Sequence, residues 1–230
     1  MRLLSLLLTV AVTAIAMISA GRPGGALQTG ERHLRLPTVI IDAGHGGFDG
    51  GAVAADGTNE KDINLEIALK LQQFLTLAGF DTVMVRTTDC SVDSGGDTIR
   101  ERKRSDLNNR FALMGQHDGA VYLCIHQNKY SGSSVKGAQV FYTPGNEQSK
   151  RLAGDIQNAI AEKLQTDNNR KIKQCDSSVY IIHNAPTTAV LVECGFISNQ
   201  TDLHNLKDQS YQSKLAFTIS AALVKNICGG

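Results

Sequence analysis

Short runs of β-branched and aliphatic residues alternate along the chain with longer stretches whose apolar positions recur every three to four residues. The run at residues 39–41, Val39, Ile40 and Ile41, predicts a buried strand that breaks at Asp42 into GHGGFDGG. Asn59 is a candidate N-cap for a helix with Glu60 in its first position. Ile63, Ile67, Leu71, Phe74, Leu75 and Ala78 form its apolar stripe, and Gly79 ends it. A strand at 81–86, a polar loop at 87–98 and a helix at 99–114 follow. Residues 120–125 then read as a strand that stops at His126. Further on come a strand at 137–143, an amphipathic helix at 148–164 and a polar segment rich in Asn and Lys. Strands at 179–182 and 189–192 follow, the second stopping at Glu193, and a helix from about 211 to 227 closes the chain. Alternation of this kind predicts an α/β fold: one three-layer domain with a central, mostly parallel twisted sheet flanked by helices, and ligands at the carboxyl ends of the strands.

The first residues change the picture of where the domain works. Residues 3–20 are an apolar run with a few hydroxyls, preceded by Arg2 and followed by GRPGG. They read as a signal for export: residues 1–20 are a signal peptide or an N-terminal membrane anchor, 21–36 a linker, and 37–228 the functional domain. The formal charge is +1, and removing residues 1–20 takes away only Arg2, so 23 basic residues become 22 against 22 acidic ones. That balance does not favour nucleic acid as a partner. Cys90, Cys124, Cys175, Cys194 and Cys228 are odd in number and lack zinc-finger or CxxC spacing, so no disulfide framework is expected.

Candidate chemistry lies where apolar runs stop. His45, His126 and Glu193 each follow a strand, and Glu60 opens the helix connected to the first of them. In an open α/β sheet these positions share one rim. Taken singly, each has an ordinary structural explanation; a carboxylate in Glu60's position, for example, gains about 0.3–1 kcal/mol from the helix dipole. Together, two histidines and a carboxylate form a recurrent catalytic zinc set, with a further carboxylate available to take a proton from water. The basic stretch IRERKRSDLNNR is explained first by a solvated helix face, and second by an anionic substrate or a protein partner.

In order along the chain, GHGGFDGGA, NEKD, IHQN and LVECGFISN resemble the successive motifs of the zinc-dependent N-acetylmuramoyl-L-alanine amidases, the amidase-3 family. That resemblance implies hydrolysis of the amide between the lactyl group of muramic acid and L-alanine in peptidoglycan. It also implies Zn2+ held by His45, Glu60 and His126, with Glu193 as the catalytic glutamate. His183 and Asn128 are expected to be possible substrate contacts. The chain departs from the family pattern at Ala43 and Thr188, where proline is frequent, and at Gln127, where a small or apolar residue is. Cys124 lies on the same strand face as His126 and is the alternative zinc ligand, disfavoured because it would sit about 6 to 7 Å back along the strand. The export segment and the basic helix are most similar to the spore-cortex and germination-specific amidases of endospore formers. This implies an exported enzyme, secreted or membrane-anchored, acting in the cell wall or the forespore intermembrane (cortex) space on the way to muramic-δ-lactam, with a possible activating or targeting protein partner. The rival readings are another cell-wall zinc peptidase or deacetylase, and a catalytically silent wall-binding module.

Overall fold

The computed structural model describes residues 36–229, so the expected export segment, and all of the linker except Leu36, lie outside the described residues. Six strands, β1 (Val39–Ala43), β2 (Thr82–Met84), β3 (Val121–Asn128), β4 (Gln139–Tyr142), β5 (Lys173–Gln174) and β6 (Thr188–Phe196), form one sheet in the order β2-β1-β3-β6-β4-β5. Neighbours run parallel except β4 and β6, which are antiparallel. The central strands are the apolar runs of the sequence: β1 is buried throughout, and most of β3 and β6 is. Strands covered on both faces lose the polar alternation of a half-exposed sheet.

Helices α1 (Glu60–Leu77), α3 (Glu147–Lys163) and α6 (Gln209–Cys228) cover one face, over a core that includes Ile41, Leu123, Ile125, Val190 and Val192. The opposite face carries α2 (Ile99–Met114) and the short α4 (Tyr180–His183), over Ile40, Tyr122, Cys124 and Leu191. The remaining helix, α5 (Gln200–Lys207), leads into α6. These are the three expected layers. Among the described residues, no helix is long and apolar enough to cross a membrane.

The helix ends follow local chemistry. Thr98 and Glu101 form a capping box at the start of α2. Gly79, at φ +90°, ends α1: its N–H and that of Phe80 return to the carbonyls of Thr76 and Leu75. Asn59 occupies the N-cap of α1 without a side-chain capping bond.

Four expectations need correction. Residues 179–182 are not a strand but most of α4, so His183 ends a helical turn. Its half-buried ring meets the Cys175 carbonyl at 3.2 Å. β3 and β6 do not stop at His126 and Glu193 but run through them to Asn128 and Phe196. The polar segment after α3 contains the two-residue edge strand β5. The basic helix α2 is not simply a solvated face, because Arg110 is buried.

Candidate active site

The strand β1 delivers His45 into a loop built by glycine. His45 itself has φ +63°, the one non-glycine residue with positive φ among the described residues. Such a conformation costs of order 1–3 kcal/mol and persists where the surroundings impose it. Here two buried arginines do so. Arg86 donates to the carbonyls of Ala43 (2.8 Å), Gly44 (3.1 Å) and Lys61 (2.8 Å). Arg110 donates to the carbonyls of His45 (2.7 Å) and Ala43 (3.2 Å) and pairs with Asp42 and Asp106. Tyr122 donates its hydroxyl to the other oxygen of Asp42 at 2.6 Å. The Cys124 thiol also donates to Asp42, at 3.5 Å.

Glu60, buried at the start of α1, stands between the two imidazoles. Its Oε1 lies 2.7 Å from His126 Nδ1, and its Oε2 lies 3.2 Å from His45 Nε2. The backbone N–H groups of Gln127 (3.0 Å) and Ala52 (2.9 Å) donate to the same carboxylate, one to each oxygen. Burial alone would raise its pKa, but the bonds to His126 and His45 outweigh that and hold it well below the usual carboxylate range. His45 behaves in the opposite sense. Burial lowers it, yet Asp49 and Glu60 together raise it to about 9.

These three residues fit a zinc ion. Two imidazoles and a carboxylate match the donor preference of catalytic zinc, and their ligand atoms all lie within 4.8 Å of one another. The space between them exists because glycine is present. A Cβ on Gly44 would fall 2.2 Å from His126 Nε2, and one on Gly51 would fall 2.7 Å from Glu60 Oε2.

Parallel pairing of β3 with β6 sets Glu193 directly opposite His126. Its Oε2 is enclosed and has no hydrogen-bond partner among the described residues. Burial pushes its pKa up to about 7, with the charge of His126 opposing and that of Glu60 reinforcing. His45, His126 and Glu193 open onto a cleft of about 350 Å³, whose lining also includes the apolar Leu107, Ile181, Ile182 and Leu191. Neither His183 nor Asn128 lines it. Asn128 ends β3, and its carbonyl accepts from Ile197 N–H at 2.9 Å.

Residues 39–225 match the family described as N-acetylmuramoyl-L-alanine amidase. The chain belongs to that family. The amidase is similar to the germination-specific N-acetylmuramoyl-L-alanine amidase of Bacillus subtilis, at 31% identity over 188 residues, covering 81% of this chain and 78% of that protein. The Bacillus subtilis amidase LytC is 34% identical over 184 residues, which are 79% of this chain and 34% of that longer protein. Among solved structures, the CwlD amidase from Clostridioides difficile in complex with the GerS lipoprotein matches with a TM-score of 0.81 and 34% identity, over 85% of this chain and 100% of that one. Hydrolysis of the N-acetylmuramoyl-L-alanine amide in peptidoglycan is therefore the activity of this domain.

Three parts of the amidase site escape a reading of the sequence. Asp49 accepts from His45 Nδ1 at 3.0 Å, which leaves Nε2 facing Glu60. A carboxylate four residues beyond the histidine, inside a glycine loop, is the signal that could have found it, because the tight Gly46–Asp49 bridge folds it back. Arg86 and Arg110 carry no local signal of this role, since the groups they hold between Asp42 and His45 lie 42 to 68 residues away. Lys103 and Arg102 of α2 also hold the loop, through an ion pair with Asp49 (3.0 Å) and a cation–π contact with Phe48 (4.2 Å).

Proposed function

We propose that this amidase is zinc-dependent, that His45, Glu60 and His126 hold the metal, and that Glu193 is its catalytic acid–base. The observation that carries the proposal is the β3–β6 register, which puts an unpartnered carboxylate beside a three-donor cluster. Zinc bound there would supply Lewis acidity toward an amide carbonyl and toward water. Glu193 takes the proton from the attacking water and returns one to the departing alanine nitrogen. A group that carries both protons works best with a pKa near the operating pH, and its enclosure supplies the required upward shift. Asp49 fixes the His45 tautomer, and Glu60, held by Gln127 and Ala52, stays ionised between the histidines. The apolar wall of Leu107, Ile181 and Ile182 suits the methyl groups that flank the scissile amide.

The biological setting follows from the relatives. Similarity to a germination-specific amidase and to CwlD supports an exported enzyme acting on spore cortex peptidoglycan, on the route to muramic-δ-lactam. The CwlD structure contains the GerS lipoprotein, which supports an activating or targeting protein partner for this chain. His183 and Asn128 are secondary candidates for substrate contact, reached only by parts of a substrate that extend beyond the cleft. Zinc content and activity of point variants test the catalytic roles. Glu193→Ala is expected to be folded, zinc-loaded and inactive, and His45→Ala to lose metal as well. Activity retained in Glu193→Ala, or stoichiometric zinc in His45→Ala, would overturn the assignment. Cortex with normal δ-lactam content in a deletion strain would exclude the sporulation role and leave the chemistry standing.

A further inference from the structure

On the side of the sheet away from the cleft, two shallow apolar grooves flank α6 and meet at Phe217, Ala221 and Lys225. One lies against α3, and the other runs along Phe74, Leu77 and Ala78 of the α1 end. Phe217 is 59% exposed and Leu77 is 85% exposed, and both line the second groove, so they form a patch rather than isolated surface residues. Three exposed lysines, Lys163, Lys214 and Lys225, line the groove against α3, with Glu162 as the one acidic residue beside them. None of the three makes an ion pair among the described residues. Lys214, Phe217, Ala221 and Lys225 follow the three-to-four-residue spacing of a single helix face.

The place where the chain enters the domain points to what covers this face. Leu36, the first described residue, packs on the core 3.9 Å from where a Cβ on Gly79 would stand, immediately beyond Leu77 and Ala78. The chain that follows the apolar run at residues 3–20 and residues 21–35 therefore enters the domain at the edge of the exposed patch. A bilayer reached by that run would meet an apolar surface rimmed by lysines that make no ion pair among the described residues, which is the complement of an anionic lipid interface.

We propose that the outer face of α6, with the end of α1, docks on an anionic membrane surface. Because the cleft lies across the sheet, between α2, α4 and the strand ends, docking in this way turns Glu193 and the metal ligands toward the wall. Each lysine near an anionic surface contributes about 1 kcal/mol, so reversing three lowers the docking constant at least about 100-fold.

The test uses the full chain reconstituted in vesicles, with exposed Cys90 and Cys228 replaced by serine and one fluorophore placed by Ala221→Cys on α6 or by Asn108→Cys on α2. With brominated lipids in 30% phosphatidylglycerol vesicles, the probe at 221 is quenched and the probe at 108 is not. Quenching at 221 is lost in pure phosphatidylcholine and in the Lys163→Glu/Lys214→Glu/Lys225→Glu variant. That variant keeps its rate on soluble muropeptides, which verifies its fold. Equal quenching at both positions, or quenching at 221 indifferent to lipid charge and to the lysines, overturns the proposal. So does shielding of the 221 probe that is already complete in lipid-free protein, which would assign the grooves to the chain's own apolar run or to a second copy.

Discussion

Replacing Arg110 by methionine removes one guanidinium and, with it, a partner of Asp42, of Asp106 and of the Ala43 and His45 carbonyls. Asp42 is 1% exposed, so it is left as a buried carboxylate held only by Tyr122 and Cys124. Breaking a buried pair from one side costs about 3–5 kcal/mol. For a domain of this size each kcal/mol moves Tm by about 2–4 °C, so a fall of roughly 6–20 °C is expected at neutral pH. The pH dependence identifies the cause. In the native protein burial would raise the pKa of Asp42, but Arg110, together with the hydrogen bonds from Tyr122 and Cys124 and the charge of His126, outweighs it and holds the carboxyl below its usual range. The resulting stability is present above the unfolded value of about 3.9 and is lost as pH falls through the lower folded value. Without Arg110, burial dominates and the sign reverses, so the variant gains stability as Asp42 takes up a proton. The Tm gap between wild type and variant, followed by calorimetry, should therefore narrow steadily from pH 7.5 to pH 4.5. Adding Asp42→Asn to the variant should recover part of the loss. A gap under 2 °C, or one of equal size at both pH values, would refute the buried-pair account.

Other consequences follow from the same loop. Gly44→Ala should give a folded protein, checked by circular dichroism, whose zinc affinity is at least about tenfold weaker, because the new Cβ meets the His126 ring. Asp49→Asn should weaken zinc binding about 10- to 100-fold and bring His45 back toward about 6.5, read by metal competition and by NMR titration. In the metal-free protein His45 titrates at about 9, above its unfolded value, so its contribution to stability is complete below about pH 6.5 and lost as pH rises through 9. Loading zinc at pH 7.5 should accordingly release about one proton from His45, seen as a calorimetric enthalpy that varies with buffer ionisation; no variation would contradict the shift.

The sheet was legible where burial on both faces writes itself as an apolar run, as at β1 and the first halves of β3 and β6. The strand ends were not, because the two strands continue past the polar residue, His126 or Glu193, that interrupts each apolar run. His126 lies on the Cys124 face and Glu193 on the Leu191 face, each keeping the two-residue alternation while turning polar to line a cleft. Residues 179–182 look like a strand because four apolar or aromatic positions fit either structure; the turn at Ser177 and Ser178 starts a helix instead. β5 is two exposed polar residues paired only with β4, which no pattern announces. The candidate ligand cluster of His45, Glu60 and His126 was legible as chemistry at motif positions. Their supports were not: Arg110 reads as one of several cations on a polar helix until the fold brings Asp42 beneath it.

The most direct measurement is the mass spectrum of purified muropeptides treated with the zinc-loaded domain. The account predicts free stem peptides beginning with an unblocked L-alanine and glycan strands that keep intact lactyl and acetyl groups, with neither product formed by Glu193→Gln. Cleavage inside the stem peptide, loss of acetyl from the sugar, or the same products from Glu193→Gln would contradict it.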